Sequence, residues 1–359
     1  MQSHLGTAAA SRLDFVPMTF GASTVSLVDA KRPLFLGVDI GGTTIKLGVV
    51  DDLGRSIATS TLDTQGDRPA DDAMRRTYAT ACDLLKRIGL AWAEISAIGL
   101  GSPGTMDIPS GKVLHPVNIP GWHEFNIRDC LGQLAGKRVA FANDANAAAY
   151  GEYWVGGAAT YHSMVLLTLG TGVGGGIIVG DLSIDGEHSM GSECGHIVVD
   201  PSPSARRCSC TRLGHLESYC SATSMVARAR EMIAAGKFDS AKSLETVSAK
   251  GIGELAESGD SVARELILDT ARWLGVGLAI IVATVDPSAI LIGGAMTFGR
   301  TETELGRAFL ERAKQEMTSR IFKELEGRIV IDYAHLGSDA GYIGAAGMAR
   351  KLLQSSTVG

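Results

Sequence analysis

The chain has 359 residues, a formal net charge of −6 and no block rich in lysine or arginine. This length allows two domains with sizeable cores, and the acidic balance argues against nucleic acid or an anionic membrane as the main partner. The longest nearly apolar run, 274–285, is too short to span a bilayer and is interpreted as part of a buried helix. The N-terminus lacks the charged and apolar regions of a secretory signal, so we expect a cytoplasmic protein.

Residues 1–33 are rich in Ser, Ala and Thr without sustained periodicity, so we expect a disordered tail. The next stretch, 34–50, predicts two short apolar strands joined by a glycine turn. Its glycines would let a phosphate approach backbone N–H groups, and its threonine hydroxyls add donors. The turn residues are Gly41, Gly42, Thr43 and Thr44. Asp39, which ends the first strand, would face a phosphate-bound Mg²⁺; an ordinary buried hairpin is the alternative interpretation.

Strands and helices alternate through the rest of the first half. A third strand at 55–62 precedes a helix at 71–90, and a strand at 95–100 leads into a turn that ends at Gly104. A further strand at 139–142 runs into Asn143 and Asp144, ahead of an alanine-rich helix at 145–153. This pair would cap the helix whether or not it has another role.

The second half repeats the opening pattern of strand, glycine turn and strand. With an offset of 129, the stretch 39–50 lies over 168–179, and the second turn contains Gly170, Thr171 and Gly172. Two hairpins of the phosphate-binding type in one chain suggest a duplication. Helices at 223–235 and 260–286, strands at 289–292 and 328–333 and a helix at 337–353 complete an α/β fold. The duplicated hairpins suggest two similar lobes around a cleft.

Four of the six cysteines lie between residues 194 and 220. In a protein expected to be cytosolic, such clustering suggests a metal site more than disulfides.

Several motifs occur in a specific order along the chain. They are Leu36–Thr44, Gly99–Gly104, Asn143-Asp144, Gly170–Ile177, Glu193–His196 and Cys208–Cys210 followed by Glu217. The set resembles the ROK family of sugar kinases from residue 34 to the C-terminus. The resemblance implies a two-lobed actin-like ATPase fold, of the ribonuclease H-like kind, with a cleft between the lobes and a homodimeric assembly. The implied smaller lobe consists of residues 34–142 and 339–359, and the implied larger lobe consists of residues 143–338.

The resemblance also implies roles for individual residues. Asp144 would be the general base for a sugar hydroxyl, and ATP would supply the phosphoryl group. The implied sugar-binding residues are Gly104, Asn118, Asn143, Asp144, Glu193, His196 and Glu217. Both hairpins would hold the triphosphate, Gly293 and Gly294 would lie near the adenosine, and Asp39 would anchor Mg²⁺ through water.

The metal motif departs from the family pattern of one His followed by Cys-x-Cys-Gly-x-x-Gly-Cys. Here Thr211 replaces the first glycine and His215 replaces the third cysteine. The expected structural Zn²⁺ site is therefore His196, Cys208, Cys210 and His215, four ligands of types that zinc accepts. A metal-free loop with two reduced thiols is the alternative.

The resemblance implies ATP-dependent phosphorylation of a hexose at O6, with glucose as the first choice. N-acetylmannosamine, N-acetylglucosamine and fructose are alternatives, since kinases for these sugars share the motifs. A sugar-sensing ROK regulator is an alternative of another class, but residues 1–33 are too short and too poor in basic charge to form a helix-turn-helix domain. A nucleotide-driven ATPase of the actin or Hsp70 type would have no use for Glu193, His196 and Glu217.

Overall fold

The computed structural model describes residues 21–116, 119–239 and 247–355. The strands in these ranges are β1 (Leu34–Ile40), β2 (Thr44–Val50), β3 (Ser56–Asp63), β4 (Ile95–Ser102), β5 (Thr105–Asp107), β6 (Lys112–His115), β7 (Phe125–Asn126), β8 (Val139–Asn143), β9 (Ser163–Leu169), β10 (Val173–Val179), β11 (Leu182–Ser183), β12 (Ala289–Gly294) and β13 (Val330–Tyr333). The α-helices are α1 (Ala70–Ile88), α2 (Ile127–Ala135), α3 (Asp144–Trp154), α4 (Glu217–Cys220), α5 (Ala222–Ala234), α6 (Ala249–Glu257), α7 (Ser261–Val285), α8 (Glu304–Thr318) and α9 (Ala340–Gln354).

Two five-stranded sheets have the same topology, in the orders β3-β2-β1-β4-β8 and β11-β10-β9-β12-β13. In each sheet the first three strands are antiparallel and the last two run parallel to the middle strand. The predicted α/β fold with a repeated strand-turn-strand opening is therefore confirmed. A small three-stranded sheet, β5-β6-β7, stands beside the first.

The two predicted hairpins occupy corresponding places at the ends of β1 and β9. In the first, Ile40 pairs with Ile45, and the Gly41 N–H donates to the Thr44 carbonyl at 2.9 Å. In the second, the Gly170 N–H donates to the Gly172 carbonyl at 3.0 Å, and the turn is one residue shorter. The offset that superposes the two hairpins is therefore 129 for β1 on β9, as predicted, but 128 for β2 on β10.

Helices α3 and α9 pack on each other with their backbones in close contact. A Cβ added to Gly344 would lie 1.6 Å from the Ala147 carbonyl oxygen, and one added to Gly151 would lie 2.5 Å from that of Ala340. Helix α9 meets the first sheet in the same way, since a Cβ on Gly99 would lie 1.7 Å from the Ala345 oxygen. These contacts require glycine and hold α9 on the first sheet. The lobe boundaries drawn at 142/143 and 338/339 stay a prediction.

Helix α7 is long and apolar enough, by length and composition, to cross a membrane. Most of its apolar stretch is buried. Leu266, Leu274 and Leu278 lie in the hydrophobic core that also contains residues of the second sheet. The interpretation of 274–285 as part of a buried helix is confirmed.

Residues 1–20 of the expected disordered tail lie outside the described residues, and the expectation is wrong for residues 21–33. The Val25 N–H donates to the Ser56 carbonyl at 3.0 Å, and the Ser56 N–H donates to the Ser23 carbonyl at 2.8 Å. The Lys31 N–H donates to the Asp51 carboxylate at 3.0 Å. This segment therefore pairs with backbone groups at the start of β3, an interaction that local composition does not reveal.

Candidate active site

Asn143 and Asp144 lie at the junction of β8 and α3. The Asn143 side chain is the N-cap, because its Oδ1 accepts from the N–H groups of Ala145 at 2.8 Å and Asn146 at 3.3 Å. Asp144 is the first helical residue, and its Oδ1 also accepts from the Ala145 N–H at 2.8 Å. Capping thus engages the side-chain amide oxygen of Asn143 and one carboxylate oxygen of Asp144, and both residues line a cavity.

A cavity of about 620 Å³ brings together predicted residues from distant parts of the chain. Those in its wall are Gly104, Asn143, Asp144, Gly170, Thr171, Gly172, Glu193, His196, Cys208, Glu217 and Gly294. The volume is that of an ordinary ligand pocket, and the wall combines carboxylates with a glycine-rich turn.

The remaining predicted residues do not line this cavity. Among them are the first hairpin (Gly41, Gly42, Thr43 and Thr44), Asp39, Gly293, Cys210 and His215. Asp39 is nevertheless close enough to Asp144 for the two charges to interact. Asn118 lies outside the described residues. The prediction that both hairpins face one nucleotide therefore stays a prediction.

Three carboxyl groups in or near the cavity, those of Asp39, Asp144 and Glu193, have raised pKa values. Burial, together with the charge of Glu193, raises the pKa of Asp144 to about 6, although the Ala145 N–H opposes the shift. Burial and then the charge of Asp144 raise the pKa of Asp39 to about 7, and Lys46 acts in the opposite direction. The pKa of Glu193 is also raised, mainly by burial. Such shifts are typical of functional sites that bind cations or transfer protons.

Glu217 connects two parts of the site. Its Oε2 accepts from the Val173 N–H at 3.0 Å, directly after the second hairpin. Its Oε1 accepts from the Ser209 hydroxyl at 2.6 Å, in the loop that carries the cysteines. The side chain is thus fixed by both elements while it lines the cavity.

Four residues of the predicted metal motif converge at one point. One ligand atom from each of His196, Cys208, Cys210 and His215 lies within 4.8 Å of the other three. The Nδ1 atoms of His196 and His215 are 3.2 Å apart, and Cys210 Sγ is 3.2 Å from His215 Nδ1. The Nε2 atom of His196 lies 3.9 Å from Glu193, so one imidazole faces both the cluster and the cavity.

Sequence reasoning missed several residues that shape the site. Thr64 holds the first hairpin, because its N–H donates to the Thr43 carbonyl at 2.8 Å and its hydroxyl to the Gly41 carbonyl at 2.7 Å. Arg207, in the cysteine loop, lines the cavity. Trp122 is fully buried in the hydrophobic core that includes Leu34 and Leu36 of β1.

Comparison with known proteins places this geometry in context. The model of the ROK family matches residues 35–352. A glucokinase from Thermotoga maritima is 31% identical over 325 residues, which cover 88% of this chain and 97% of the relative. A ROK hexokinase structure from Thermus thermophilus has a TM-score of 0.76 and 30% identity, with 90% of this chain and 99% of that chain covered. A ROK glucokinase from Streptomyces griseus, solved with glucose and AMPPNP, has a TM-score of 0.72 and 33% identity, with 89% and 99% covered.

The family model spans most of the chain, and several of the motifs that match it contribute residues to one cavity. The solved relatives agree with a two-lobed fold built on the two five-stranded sheets. This protein belongs to the ROK family.

Proposed function

We propose that this protein is an ATP-dependent hexose kinase that phosphorylates glucose at O6. The observation that carries the proposal is the position of Asp144, whose carboxylate shares one cavity with the glycine turn of the second hairpin and with Glu193 and Glu217. A phosphoryl-transfer site needs these parts, a carboxylate for the attacking hydroxyl and backbone donors for the phosphates.

Asp144 would accept the proton of the sugar O6 hydroxyl while that oxygen attacks the γ-phosphorus and the bond to the β-phosphate oxygen breaks. Its raised pKa suits this role, because a stronger base accepts the proton more readily and still remains ionised at neutral pH. Asn143, Glu193, His196 and Glu217 would bind the other hydroxyls, since acceptors and donors of these types match a polyol.

The nucleotide would lie between the two hairpins, whose backbone N–H groups would hold its phosphates. Asp39 and Asp144 are both half-buried and close enough for their charges to interact, which is an environment suited to a divalent cation. Asp39 would hold Mg²⁺ through water, and the ion would neutralise charge on the phosphates when bound.

The choice of glucose rests on the relatives named glucokinase and on the relative solved with glucose and AMPPNP. The test is a panel of glucose, N-acetylmannosamine, N-acetylglucosamine and fructose with ATP and Mg²⁺, read as sugar-dependent ADP release. Glucose should give the highest kcat/KM. A different preferred sugar would correct the substrate, and no sugar-dependent release would favour a sugar-sensing regulator.

Replacing the proposed base should remove catalysis while sugar binding remains. We expect Asp144→Asn to lower kcat by about 10²–10⁴-fold, because the amide keeps the shape but cannot accept the proton. Asp185→Asn is a matched control, since Asp185 is another half-buried aspartate, bonded to Asn146 of α3, that does not line the cavity. Near-normal turnover by Asp144→Asn would remove this residue from the mechanism.

The pH profile should follow Asp144. A base is active only when ionised, so a raised pKa moves the acidic loss of activity upward, from the ordinary 3.8 to about 6. We expect kcat/KM for glucose, measured at saturating Mg·ATP, to fall about tenfold per pH unit below that point. Glu193→Gln should shift the midpoint downward, because the Glu193 charge contributes to the raised pKa. A wild-type midpoint near 4 would contradict the assignment.

A structural Zn²⁺ is also part of the proposal. Two thiolates and two imidazoles are ligands that zinc accepts, and their mutual distances suit four ligands around one ion. His196, Cys208, Cys210 and His215 would hold the ion, which would fix the loop that carries Ser209 and orient the His196 ring toward Glu193.

Elemental analysis of purified protein should give about one zinc per chain, as a closed four-ligand site predicts. Combined replacement Cys208→Ala/Cys210→Ala should abolish the metal content. The control is Cys82→Ala/Cys130→Ala, which removes two thiols located away from the cluster and should leave the zinc in place. Wild-type protein without zinc would end this part of the proposal.

The family resemblance further suggests a cytoplasmic homodimer, and we include both features in the proposal. Light scattering after size-exclusion chromatography should then give twice the chain mass of 37.5 kDa. A mass of one chain at micromolar concentration would contradict the dimer.

A further inference from the structure

Lys46 lies in β2, directly opposite Asp39 in β1. Opposed residues of an antiparallel pair extend from the same face of the sheet, so the ammonium lies on the same side as the carboxylate predicted to serve Mg²⁺. The charge of Lys46 is felt at Asp39, where it partly offsets the effect of burial on the carboxyl pKa. Lys46 therefore provides a positive charge next to the first hairpin.

The Lys46 ammonium also reaches a segment almost three hundred residues later in the chain. Its Nζ donates to Asp339 Oδ1 at 2.6 Å and to the hydroxyl and carbonyl oxygens of Ser338 at 3.2 Å each. Three acceptors match the three protons of an ammonium group, so its donors are fully used. Only 24% of the Lys46 side chain is exposed.

Ser338 and Asp339 belong to the short 3₁₀ turn that precedes α9. The first residue of α9, Ala340, has its carbonyl against Gly151 of α3, the helix that begins at Asp144. The hairpin itself is held from its other side by Thr64, which bonds the carbonyls of Gly41 and Thr43. Rigid contacts therefore lead from the first hairpin through Lys46 and α9 to the proposed base.

We propose that Lys46 is a positioning residue for the nucleotide: its bonds to Ser338 and Asp339 fix the hairpin Gly41–Thr44 relative to the helix that begins at Asp144. Lys46 acts through the hairpin and does not contact the transferred phosphoryl group. The inference rests on the proposed function, because it takes the phosphates of ATP to bind this hairpin.

An ion pair that only stabilises the fold would show the same contacts, so the test needs a matched control. Lys351 provides one near the opposite end of α9, where its Nζ bonds the Asp181 carbonyl and lies 3.3 Å from the Asp181 carboxylate. Each lysine also has its Nζ 5.4 Å from the centre of a tyrosine ring, Tyr342 for Lys46 and Tyr150 for Lys351. The two ion pairs differ in position, because Lys46–Asp339 lies next to the first hairpin and Lys351–Asp181 does not.

The experiment measures Mg·ADP binding by isothermal titration calorimetry for wild type, Lys46→Met, Lys46→Arg and Lys351→Met. We expect Lys46→Met to raise the Kd for Mg·ADP about tenfold, because it removes the charge-assisted hydrogen bonds to Ser338 and Asp339. Lys46→Arg should raise Kd less than Lys46→Met does, since it keeps the positive charge although its planar donors differ in geometry from an ammonium. Lys351→Met should bind like wild type. In turnover assays Lys46→Met should raise KM for ATP while KM for glucose stays unchanged.

Equal Mg·ADP affinity of Lys46→Met and wild type would overturn the inference, and so would equal losses in Lys46→Met and Lys351→Met. If Lys46→Met fails to fold, Asp339→Asn tests the same bond from its other end. It should also raise the Kd for Mg·ADP, and unchanged affinity of Asp339→Asn would overturn the inference. A wild-type protein that binds no Mg·ADP would instead overturn the proposed function, and the role of Lys46 with it.

Discussion

The close backbone contact between α3 and α9 is the constraint on which the site depends. Gly344 and Gly151 allow the two helices to approach until no Cβ fits between them, and Gly99 seats α9 on the first sheet in the same way. The N-terminal end of α3 carries Asp144, and the N-terminal end of α9 adjoins the segment that bonds Lys46. Small residues are therefore required in these helices for a geometric reason, because any added side chain would move the ends that hold functional groups.

The cavity concentrates acidic groups that would be costly to ionise together. Asp144, Glu193 and Glu217 line it, and Asp39 lies close by. Burial and mutual repulsion raise the pKa values of Asp39, Asp144 and Glu193, so the folded protein spends stability to keep these carboxylates in place. Such an arrangement is sensible for a site whose ligands supply the missing partners, namely hydroxyl donors and a cation.

Local patterns predicted the elements that carry the glycine turns. Local spacing predicted the β1–β2 and β9–β10 hairpins and the capped start of α3. The family pattern predicted that four side chains would converge, those of His196, Cys208, Cys210 and His215. Contacts between distant parts of the chain could not be predicted in this way. Nothing near Lys46 in the sequence points to Ser338 and Asp339, and nothing in residues 21–33 reveals their pairing with β3. The register of the β1–β2 hairpin, with Ile40 paired to Ile45, places Lys46 opposite Asp39 on one face of the sheet.

Glu217 joins two separate elements of the site through one planar group. One of its oxygens holds the end of the second glycine turn, and the other is tied to Ser209 beside the cysteine cluster. Each carboxylate oxygen can accept more than one hydrogen bond, so a ligand hydroxyl can bind Glu217 while both of these bonds remain. The position of that contact is therefore set jointly by the second glycine turn and by the cysteine loop.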